Sequence, residues 1–216
     1  MPPRVTFAKV EIVNAAYELV QRKGIQNLSA RNVAQELGCS TQPIYRAFTT
    51  ISELETEVIA KAKDAAVTAM LNYSDREGHF LSIGMGYLDF AGREPKLFNL
   101  LFMSGRTTFS IEGDHSIFSP LYEKMKKDPF LAELDRAALH QLLKDMFIYT
   151  HGLCTLAVLN GKDGRRDRSE DKERLLNMGG QLIAAAVMKS RGLLHIEELF
   201  GGENHEHHHF KRKSEG

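Results

Sequence analysis

The twenty residues from Ser29 to Phe48 constrain the fold of this 216-residue chain more than any other segment. Two short helices that cross steeply need a small residue where the second presses on the first, and Ala34 is small. Gly38 follows four positions later, and glycine tolerates the positive φ of a tight turn. Ile44 comes six positions after Gly38 and supplies an apolar anchor that points back to the first helix. This spacing predicts a helix-turn-helix.

Two serines and a proline indicate where these helices begin. Ser29 and Ser40 are of a type that caps helix N-termini, which predicts one helix from Ser29 to Leu37 and a second from Ser40 to about Phe48. Pro43 is then the third residue of the second helix, where its missing N–H removes no intrahelical hydrogen bond. The other inward positions are predicted to be Val33, Leu37, Cys39 and Phe48.

The outward face of the second helix carries residue types that recognise nucleic acid. Its side chains are Thr41, Gln42, Tyr45 and Arg46. Glutamine and arginine pair with adenine and guanine edges, and threonine contacts the thymine methyl group. Serine and tyrosine hydroxyls, and backbone N–H groups at Ser29 and Ser40, suit phosphate oxygens. Two alternatives stay open: Tyr45 packs inward on a leucine, or Arg46 pairs with a glutamate.

Apolar residues recur at helical spacing along almost the whole chain, which contains only six prolines. Because no alternating strand pattern and no internal repeat occurs, the predicted fold class is all-α. Thr6 is predicted to cap the first helix, which Gly24 ends. Further helices are predicted at 52–73, 76–92, 95–103, 117–127, 135–160 and 171–191, with loops at 104–116 and 161–170 and an apolar turn at 193–200.

Composition narrows the class of protein. Hydrophobic residues make up 43% of the chain and charged residues 26%, which is typical of a soluble globular protein and not of a disordered or collagen-like one. The two cysteines, Cys39 and Cys154, form neither a disulfide framework nor a CxxC zinc pair. The apolar runs at 153–159 and 182–188 are shorter than a membrane span, and no signal-peptide core follows the N-terminus. We therefore expect a cytoplasmic protein without membrane contact.

The formal net charge of zero hides an asymmetry along the chain. Residues 1–50 hold six basic and three acidic side chains, so the remaining residues carry an equal acidic excess. A modestly basic N-terminal part is expected to give salt-dependent attraction to phosphates without indiscriminate tight binding.

The helix-turn-helix segment and its flanks resemble the DNA-binding domain of the TetR family of transcriptional repressors. The resemblance covers roughly residues 7–58 and includes the Lys-Gly end of the first helix, Leu28-Ser29, the run from Ile44 to Phe48, and Glu53-Leu54. The family's usual DNA-contacting places fall on Ser29, Arg31, Thr41, Gln42, Tyr45 and Arg46. Where many members place a phosphate-binding lysine, this chain has Ile51, so Arg4 and Lys9 of a basic arm are candidate substitutes.

The resemblance also implies a homodimer that binds a palindromic operator in double-stranded DNA and is released by a small-molecule effector. It divides the chain into a DNA-binding domain at 1–50, an effector-binding and dimerisation domain at 51–200, and a polar His-rich tail at 201–216. The last two long helices carry apolar stripes that either pair with a second subunit or form an intrachain core. The stripes are Leu139, Leu142, Leu143, Met146, Leu153 and Leu156, then Leu175, Met178, Gly179, Leu182, Ala186 and Val187.

Aromatic residues cluster where the family places its effector pocket. The candidate lining residues are Tyr87, Phe90, Phe98, Phe102, Phe118, Tyr122, Met146 and His151. They carry little charge, which favours a neutral or weakly charged hydrophobic effector. The patch from Phe147 to Gly152 resembles the Trp…His-Gly signature of one C-terminal subgroup, with Phe147 in place of the tryptophan. Two roles stay open for His151, which either lines a cavity or binds a backbone group.

The alternative function is a helical enzyme or metal-binding protein without a DNA role. The chain has no GxSxG, HExxH, P-loop or Rossmann pattern, and Gly84-Met85-Gly86 lies within a predicted helix. We therefore predict no catalytic residue, no cofactor and no regulatory metal site. The imidazoles from His205 to His209 are able to bind Zn²⁺ or Ni²⁺, but a solvated tail is the favoured interpretation.

Overall fold

A computed structural model describes residues 7–74, 76, 78–107, 115–160 and 169–194. In these ranges the chain forms nine α-helices and no strand, so the predicted all-α class is confirmed. The longer predicted helices agree with the structure to within three residues at each end. The helices are α1 Lys9–Lys23, α2 Ala30–Glu36, α3 Gln42–Ala47, α4 Ile51–Leu71, α5 His79–Arg93, α6 Pro95–Phe102, α7 His115–Met125, α8 Arg136–Asn160 and α9 Ser169–Ser190, with 3₁₀ turns at Ile25–Asn27 and Pro129–Leu131.

Helices α1, α2 and α3 form a small unit, which we call the head. The buried face of α1 consists of Ile12, Ala16, Leu19 and Val20. The helix ends at Lys23 because Gly24 adopts a φ of 86°, a conformation that L-residues avoid. The predicted cap Thr6 lies outside the described residues. At the start of α1, the Glu11 carboxylate accepts a hydrogen bond from the Ala8 N–H at 2.7 Å.

The turn between α2 and α3 has the predicted geometry. Gly38 has a φ of 64°, so the residue that tolerates positive φ is where the turn requires it. Ala34 is 3% exposed and Ile44 is fully buried, as expected for the contact between the two helices. Val33 and Phe48 are buried beside them and complete the apolar interior of the motif.

The caps of these two helices differ in part from the prediction. Ser29 caps α2 as predicted, since its Oγ accepts a backbone N–H at 3.2 Å. The prediction that Ser40 caps α3 is wrong, because α3 begins at Gln42 and its N-cap is Thr41, which makes no side-chain cap bond. Pro43 thereby occupies the second helical position, within the first turn, where a missing N–H costs no intrahelical bond.

Helix α4 connects the head to the remaining helices, α4–α9, which we call the body. Thr50 caps its start, with Oγ1 accepting the Glu53 N–H at 3.2 Å. Every fourth residue along it is buried, as expected for an amphipathic helix packed along its whole length. These residues are Leu54, Val58, Ala62, Ala66 and Met70. The helix contacts α1 of the head and α5, α6 and α7 of the body.

Helix α5 runs through the centre of the body and is buried on nearly all sides, because α4, α6, α7, α8 and α9 surround it. Its glycines allow this close packing. A Cβ on Gly86 would lie 2.7 Å from the Cα of Met70, and one on Gly84 would lie 3.2 Å from the Leu175 side chain. Gly84 and Gly86 therefore serve helix packing, in keeping with their predicted place inside a helix.

Helices α8 and α9 form the outer layer of the body. Most of the predicted apolar stripe is intrachain core, since Leu139, Leu142, Leu143, Met146, Leu153, Leu175 and Gly179 are buried. Leu156, in contrast, is 56% exposed, and Ile148 and Leu159 are exposed with it. The stretch Arg136–Leu159 has the length and composition of a membrane span, with a mean hydropathy of 1.3 and 39% of its apolar window buried. The short apolar runs in the sequence did not predict so long an apolar helix. The chain alone leaves part of this apolar helix uncovered.

Head and body share one continuous apolar core and are also tied by polar contacts. The Lys9 ammonium lies 3.0 Å from the Glu57 carboxylate of α4. Lys61 of α4 donates to the Asn14 side chain and lies 4.8 Å above the Tyr17 ring. The predicted domain boundary after residue 50 coincides with the start of α4 and stays a prediction. The predicted tail at 201–216 lies outside the described residues.

Candidate nucleic-acid interface

Helix α3 presents its predicted contact residues on the side opposite to its buried anchors. Ile44 and Phe48 are buried, which turns the other face of the helix outward. The residues of that face are Thr41, which is half-buried, and the exposed Gln42, Tyr45 and Arg46. Because Tyr45 is 56% exposed, the alternative of inward packing is wrong.

The three other predicted contact residues lie at the start of α2 and in the turn. Arg31 is exposed in the first turn of α2, and Ser40 is exposed just before α3. Ser29 is half-buried, and its Oγ accepts a backbone N–H as the cap of α2. Its O–H is still able to donate to a phosphate oxygen. DNA contact by these residues remains a prediction.

Ion pairs neutralise much of the positive charge of the head. Lys9 is paired with Glu57, and Arg22 and Lys23 are paired with Glu36 at 2.6 and 3.3 Å. The hydrogen bond from Arg22, with help from Lys23, holds the pKa of Glu36 below its usual value, so this carboxylate stays ionised at neutral pH. Three of the basic side chains in the head are therefore engaged within the protein.

The free positive charge of the head lies on the predicted contact surface. Among the basic residues of the described head, Arg31 and Arg46 are the two that make no ion pair, and both are exposed. The predicted alternative of a glutamate partner for Arg46 is thus not observed. Lys9, proposed for a basic arm, is instead the first residue of α1 and lies 4.9 Å above the Phe48 ring. Arg4 lies outside the described residues.

Comparison with known proteins identifies this domain. The family model of bacterial regulatory proteins of the tetR family matches residues 12–58, which span α2 and α3 and end within α4. The chain carries the DNA-binding domain of TetR-family transcriptional regulators. It is accordingly a DNA-binding transcriptional regulator. No curated protein matches the chain.

Solved structures share the TetR fold over most of the chain. A tetR-family transcriptional regulator from Streptomyces coelicolor aligns with a TM-score of 0.64 at 17% identity, covering 86% of this chain and 84% of that one. The regulator SCO7222, a TetR from the same organism, aligns with a TM-score of 0.58 at 18% identity, covering 88% and 100%. BioQ with its natural double-stranded DNA operator aligns with a TM-score of 0.52 at 18% identity, covering 83% and 99%. At these identities the likeness shows the fold.

The start of α4 departs from the usual TetR pattern, as the sequence indicated. Ile51 is half-buried and packs against the apolar core, so its side chain offers no phosphate contact. The neighbouring Glu53 is in the first helical turn, and its carboxylate accepts the Thr49 N–H at 2.9 Å. The Glu53 carboxylate therefore stabilises the start of α4 by binding a backbone N–H group that precedes the helix.

In the body, five of the predicted pocket residues form one group of neighbouring rings together with Phe147. We call this group the aromatic cluster; its rings are Tyr87, Phe98, Phe102, Phe118, Phe147 and His151. Tyr87 stacks on Phe147 with centroids 5.2 Å apart, and Phe118 meets Phe147 edge-on at 5.0 Å. Met146 borders a small void together with Tyr87 and Phe147, beside the cluster. The other two predicted residues have different neighbours, since Phe90 borders a cleft near Tyr17 and Tyr122 stacks on His140.

A polar pair lies at the centre of the aromatic cluster. The Tyr87 hydroxyl and His151 Nδ1 are 2.9 Å apart. Burial raises the pKa of Tyr87 well above its ordinary value and lowers the pKa of His151, so both groups are neutral at pH 7. The Tyr87 O–H is the stronger donor, so we assign it as donating to Nδ1, which leaves the hydrogen of His151 on Nε2. The partner of His151 is thus a side chain, and not the backbone group of one of the two roles left open for it.

The cavities bounded by described residues are small at the aromatic cluster and larger elsewhere. A void of about 10 Å³ beside Tyr87 and Phe147 has room for one water molecule at most. A cleft of about 700 Å³ lies between α1, α4 and α5 and includes Tyr17 and Phe90. A groove of about 680 Å³ lies between α8 and α9. The predicted effector pocket stays a prediction.

Three polar anchors of the body were not predicted from the sequence. The Lys124 ammonium donates to the Leu71 carbonyl at the end of α4 at 2.7 Å. The buried Asp128 carboxylate accepts two backbone N–H groups, at 2.9 and 3.0 Å. Arg106 Nη1 lies 3.0 Å from both carboxylate oxygens of Glu55. Each long-range partner is about fifty residues away in the sequence, and no local pattern marks such a pair.

Metal-ligating side chains do not cluster in the part of the chain that the structure describes, where no three His, Cys, Asp or Glu side chains come together. Cys39 is half-buried, Cys154 is buried, and both are free thiols. The histidines at 205–209 lie outside the described residues.

Proposed function

We propose that this TetR-type regulator is a homodimeric repressor that binds a palindromic operator and is released by a small uncharged effector. The observation that carries the proposal is the exposed face of α3, with Gln42, Tyr45 and Arg46 pointing away from the core. BioQ, whose fold the chain shares, has been solved with its natural double-stranded DNA operator. A cytoplasmic location and a role without catalysis form part of the proposal.

The residue types on α3 assign separate roles at the DNA. With α3 in the major groove, Gln42 and Arg46 would hydrogen-bond base edges, and a good bidentate contact of this kind discriminates by about 1–3 kcal/mol. The Tyr45 hydroxyl and the Arg31 guanidinium would bind phosphate oxygens and fix the register of the head. Specificity thus depends mainly on two side chains per head.

The uncovered face of α8 and α9 fits a second copy of the chain. Ile148, Leu156 and Leu159 are 59%, 56% and 64% exposed, and Met188 of α9 is 43% exposed. Gly152 lies between the exposed apolar residues of α8, and nothing lies within 4 Å of the place where its Cβ would be, so another helix has room to approach closely. Pairing α8 and α9 with their copies would form a four-helix bundle and bring two heads to one operator.

Release from DNA requires two arrangements of the heads. Recognition helices that enter successive major grooves on one face of DNA are about 34–36 Å apart. An effector that binds more tightly to a different spacing shifts the population away from DNA. Helix α4 would transmit the change from the effector site to the head, because it follows the head directly and contacts α5, α6 and α7. It is held near its two ends by the Glu55–Arg106 pair and by Lys124.

DNA selection and variants of the head test the DNA assignment. Operator sequences are selected from a random DNA pool, and the affinity of the Q42A/Y45A double variant for them is measured by gel shift. Loss of the base and phosphate contacts should abolish sequence-specific binding while the helical circular dichroism signal is kept. Gln26→Ala, an exposed glutamine outside α3, is the control and should bind normally. An unchanged operator affinity of the double variant would refute the assignment.

Sedimentation tests the dimer separately. Leu156→Glu introduces a charge into the exposed face of α8 and should give a monomer at micromolar concentration. Leu193→Glu is the matched control, because Leu193 is 65% exposed beyond the end of α9 and should leave the dimer intact. A wild-type monomer, or a dimer that persists in Leu156→Glu, contradicts this interface.

A further inference from the structure

One edge of the aromatic cluster keeps accessible surface in the part of the chain that the structure describes. Phe102, Phe118 and His151 keep accessible surface, whereas Tyr87 and Phe98 are 1% and 0% exposed. The His151 ring centroid lies 5.6 Å from that of Phe98 and 5.5 Å from that of Phe102. We call Phe102, Phe118 and His151 the aromatic edge. This surface consists of two phenyl rings and one imidazole ring.

The hydrogen bond to Tyr87 determines what this imidazole offers to a ligand. Nδ1 is engaged with the Tyr87 hydroxyl at 2.9 Å, so Nε2–H is the remaining polar group of the neutral ring. No residue in the described ranges lies at hydrogen-bond distance from Nε2. The aromatic edge therefore presents one hydrogen-bond donor and no acceptor.

We propose that the aromatic edge binds an uncharged aromatic molecule whose carbonyl oxygen accepts a hydrogen bond from His151 Nε2–H. Aryl ketones and aryl esters have this chemistry. The inference deepens the proposed function, since it names the class of effector, and it rests on that function only for the release of DNA. Binding itself follows from the rings of the cluster and from the tautomer of His151.

Two related classes of molecule fit the aromatic edge less well. An aromatic hydrocarbon of the same shape covers the rings but removes Nε2–H from water without giving it an acceptor, which is unfavourable. An aromatic carboxylate offers an acceptor but exchanges the hydration of its charge for contact with Phe102 and Phe118, which is also unfavourable. The carbonyl compound is the class that satisfies both the apolar rings and the donor.

Three probes of one size separate these classes. Acetophenone, ethylbenzene and benzoate are titrated into the full-length protein, and their dissociation constants are measured by calorimetry in the absence of DNA. We expect acetophenone to bind roughly 3- to 10-fold more tightly than ethylbenzene, as one net hydrogen bond implies, and benzoate to bind most weakly. Acetophenone should also shift the ¹⁵N resonance of His151 Nε2 more than that of Nδ1.

Two histidine variants on the same helix provide the matched control. His151→Phe keeps a planar ring but removes the hydrogen-bond donor, so this variant should bind acetophenone and ethylbenzene with about equal affinity. His140→Phe alters an exposed histidine stacked on Tyr122 at 4.3 Å and should keep the preference. If His151→Phe fails to fold, the ratio of the ethylbenzene and acetophenone dissociation constants in the wild-type protein still tests the proposal.

The outcomes separate this inference from the repressor assignment. Equal affinities for acetophenone and ethylbenzene, tightest binding of benzoate, no binding of any probe, or a preference that survives in His151→Phe would overturn the inference. None of these results alters operator binding by α3. Conversely, a preference that depends on His151 in a protein that binds no operator supports the aromatic edge and overturns the proposed function.

Discussion

Helix α4 is held at its C-terminal end by one buried ammonium group, and removing that group should destabilise the body. Lys124 is 8% exposed, and its Nζ lies 2.7 Å from the Leu71 carbonyl and 3.5 Å from the carbonyls of Met70 and Tyr73. Carbonyl groups in the last turn of a helix have no intrahelical donor, so the lysine supplies one. Lys124→Met keeps the unbranched apolar stem of the side chain and removes the charged donor.

The expected loss of stability follows from these distances. A net charge-assisted hydrogen bond contributes about 1.5–3 kcal/mol, and only the 2.7 Å bond to Leu71 is short enough to count in full. A cation at a helix C-terminus adds about 0.3–1 kcal/mol through the helix dipole. The free energy of unfolding should therefore fall by roughly 3 kcal/mol. For a chain of this size, that corresponds to a decrease of about 6–12 °C in Tm.

Urea and thermal unfolding measure this loss at one fixed protein concentration, because dissociation of the proposed dimer would also contribute to apparent stability. Lys126→Met is the matched control on the same helix. Lys126 makes an exposed i,i+3 pair with Glu123 at 2.7 Å, and such pairs contribute about 0–1 kcal/mol. If the two variants unfold within about 0.5 kcal/mol of each other, Lys124 is not the anchor of α4.

Three further changes probe the packing and the polar contacts. Gly86→Ala places a Cβ 2.7 Å from the Cα of Met70 in α4 and should lower Tm although alanine favours helices by about 1 kcal/mol; an unchanged or higher Tm would contradict the packing argument. Asp128→Ala leaves two N–H groups without their acceptor and should cost about 2 kcal/mol or more in urea unfolding; a loss below about 0.5 kcal/mol would show that water replaces it. Glu55→Arg faces Arg106 with a like charge and should weaken operator binding several-fold in a gel shift, and adding Arg106→Glu should restore it if the pair orients α4.

The helix-turn-helix was predictable because its contacts are local. Ala34, Gly38 and Ile44 lie within eleven positions, so helix geometry alone determines how they meet. The positive φ of Gly38 and the complete burial of Ile44 follow from that spacing. The same locality explains why the outward positions of α3 were predicted as a set.

The start of α3 was mispredicted because two local preferences compete there. Ser40 is a better capping residue than Thr41, but Pro43 favours the earliest turn of a helix. The helix begins at Gln42, which places the proline at the second position, and Ser40 is left in the turn. A rule based on capping preference alone therefore places the start of α3 one residue too early.

The interior of the body depends on contacts that sequence spacing does not reveal. Tyr87 and His151 are sixty-four positions apart and still share a hydrogen bond. Periodicity predicted that Tyr87 is on an apolar helix face but not which helix would cover it. The sequence left open whether the apolar stripe of α8 pairs with a second subunit or forms an intrachain core, and its spacing did not separate the buried Leu153 from the exposed Leu156.

The internal pairing of Lys9, Arg22 and Lys23 has a consequence for how the protein searches the genome. Among the basic side chains left free on each described head, Arg31 is the one assigned to phosphate, so the proposed dimer would neutralise two phosphates, which corresponds to a log–log salt slope of roughly −2. With so weak a dependence on phosphate contacts, the proposed dimer should dissociate quickly from random DNA sequence. Changes in ionic strength should therefore alter its binding to DNA less than they would for a heavily basic head.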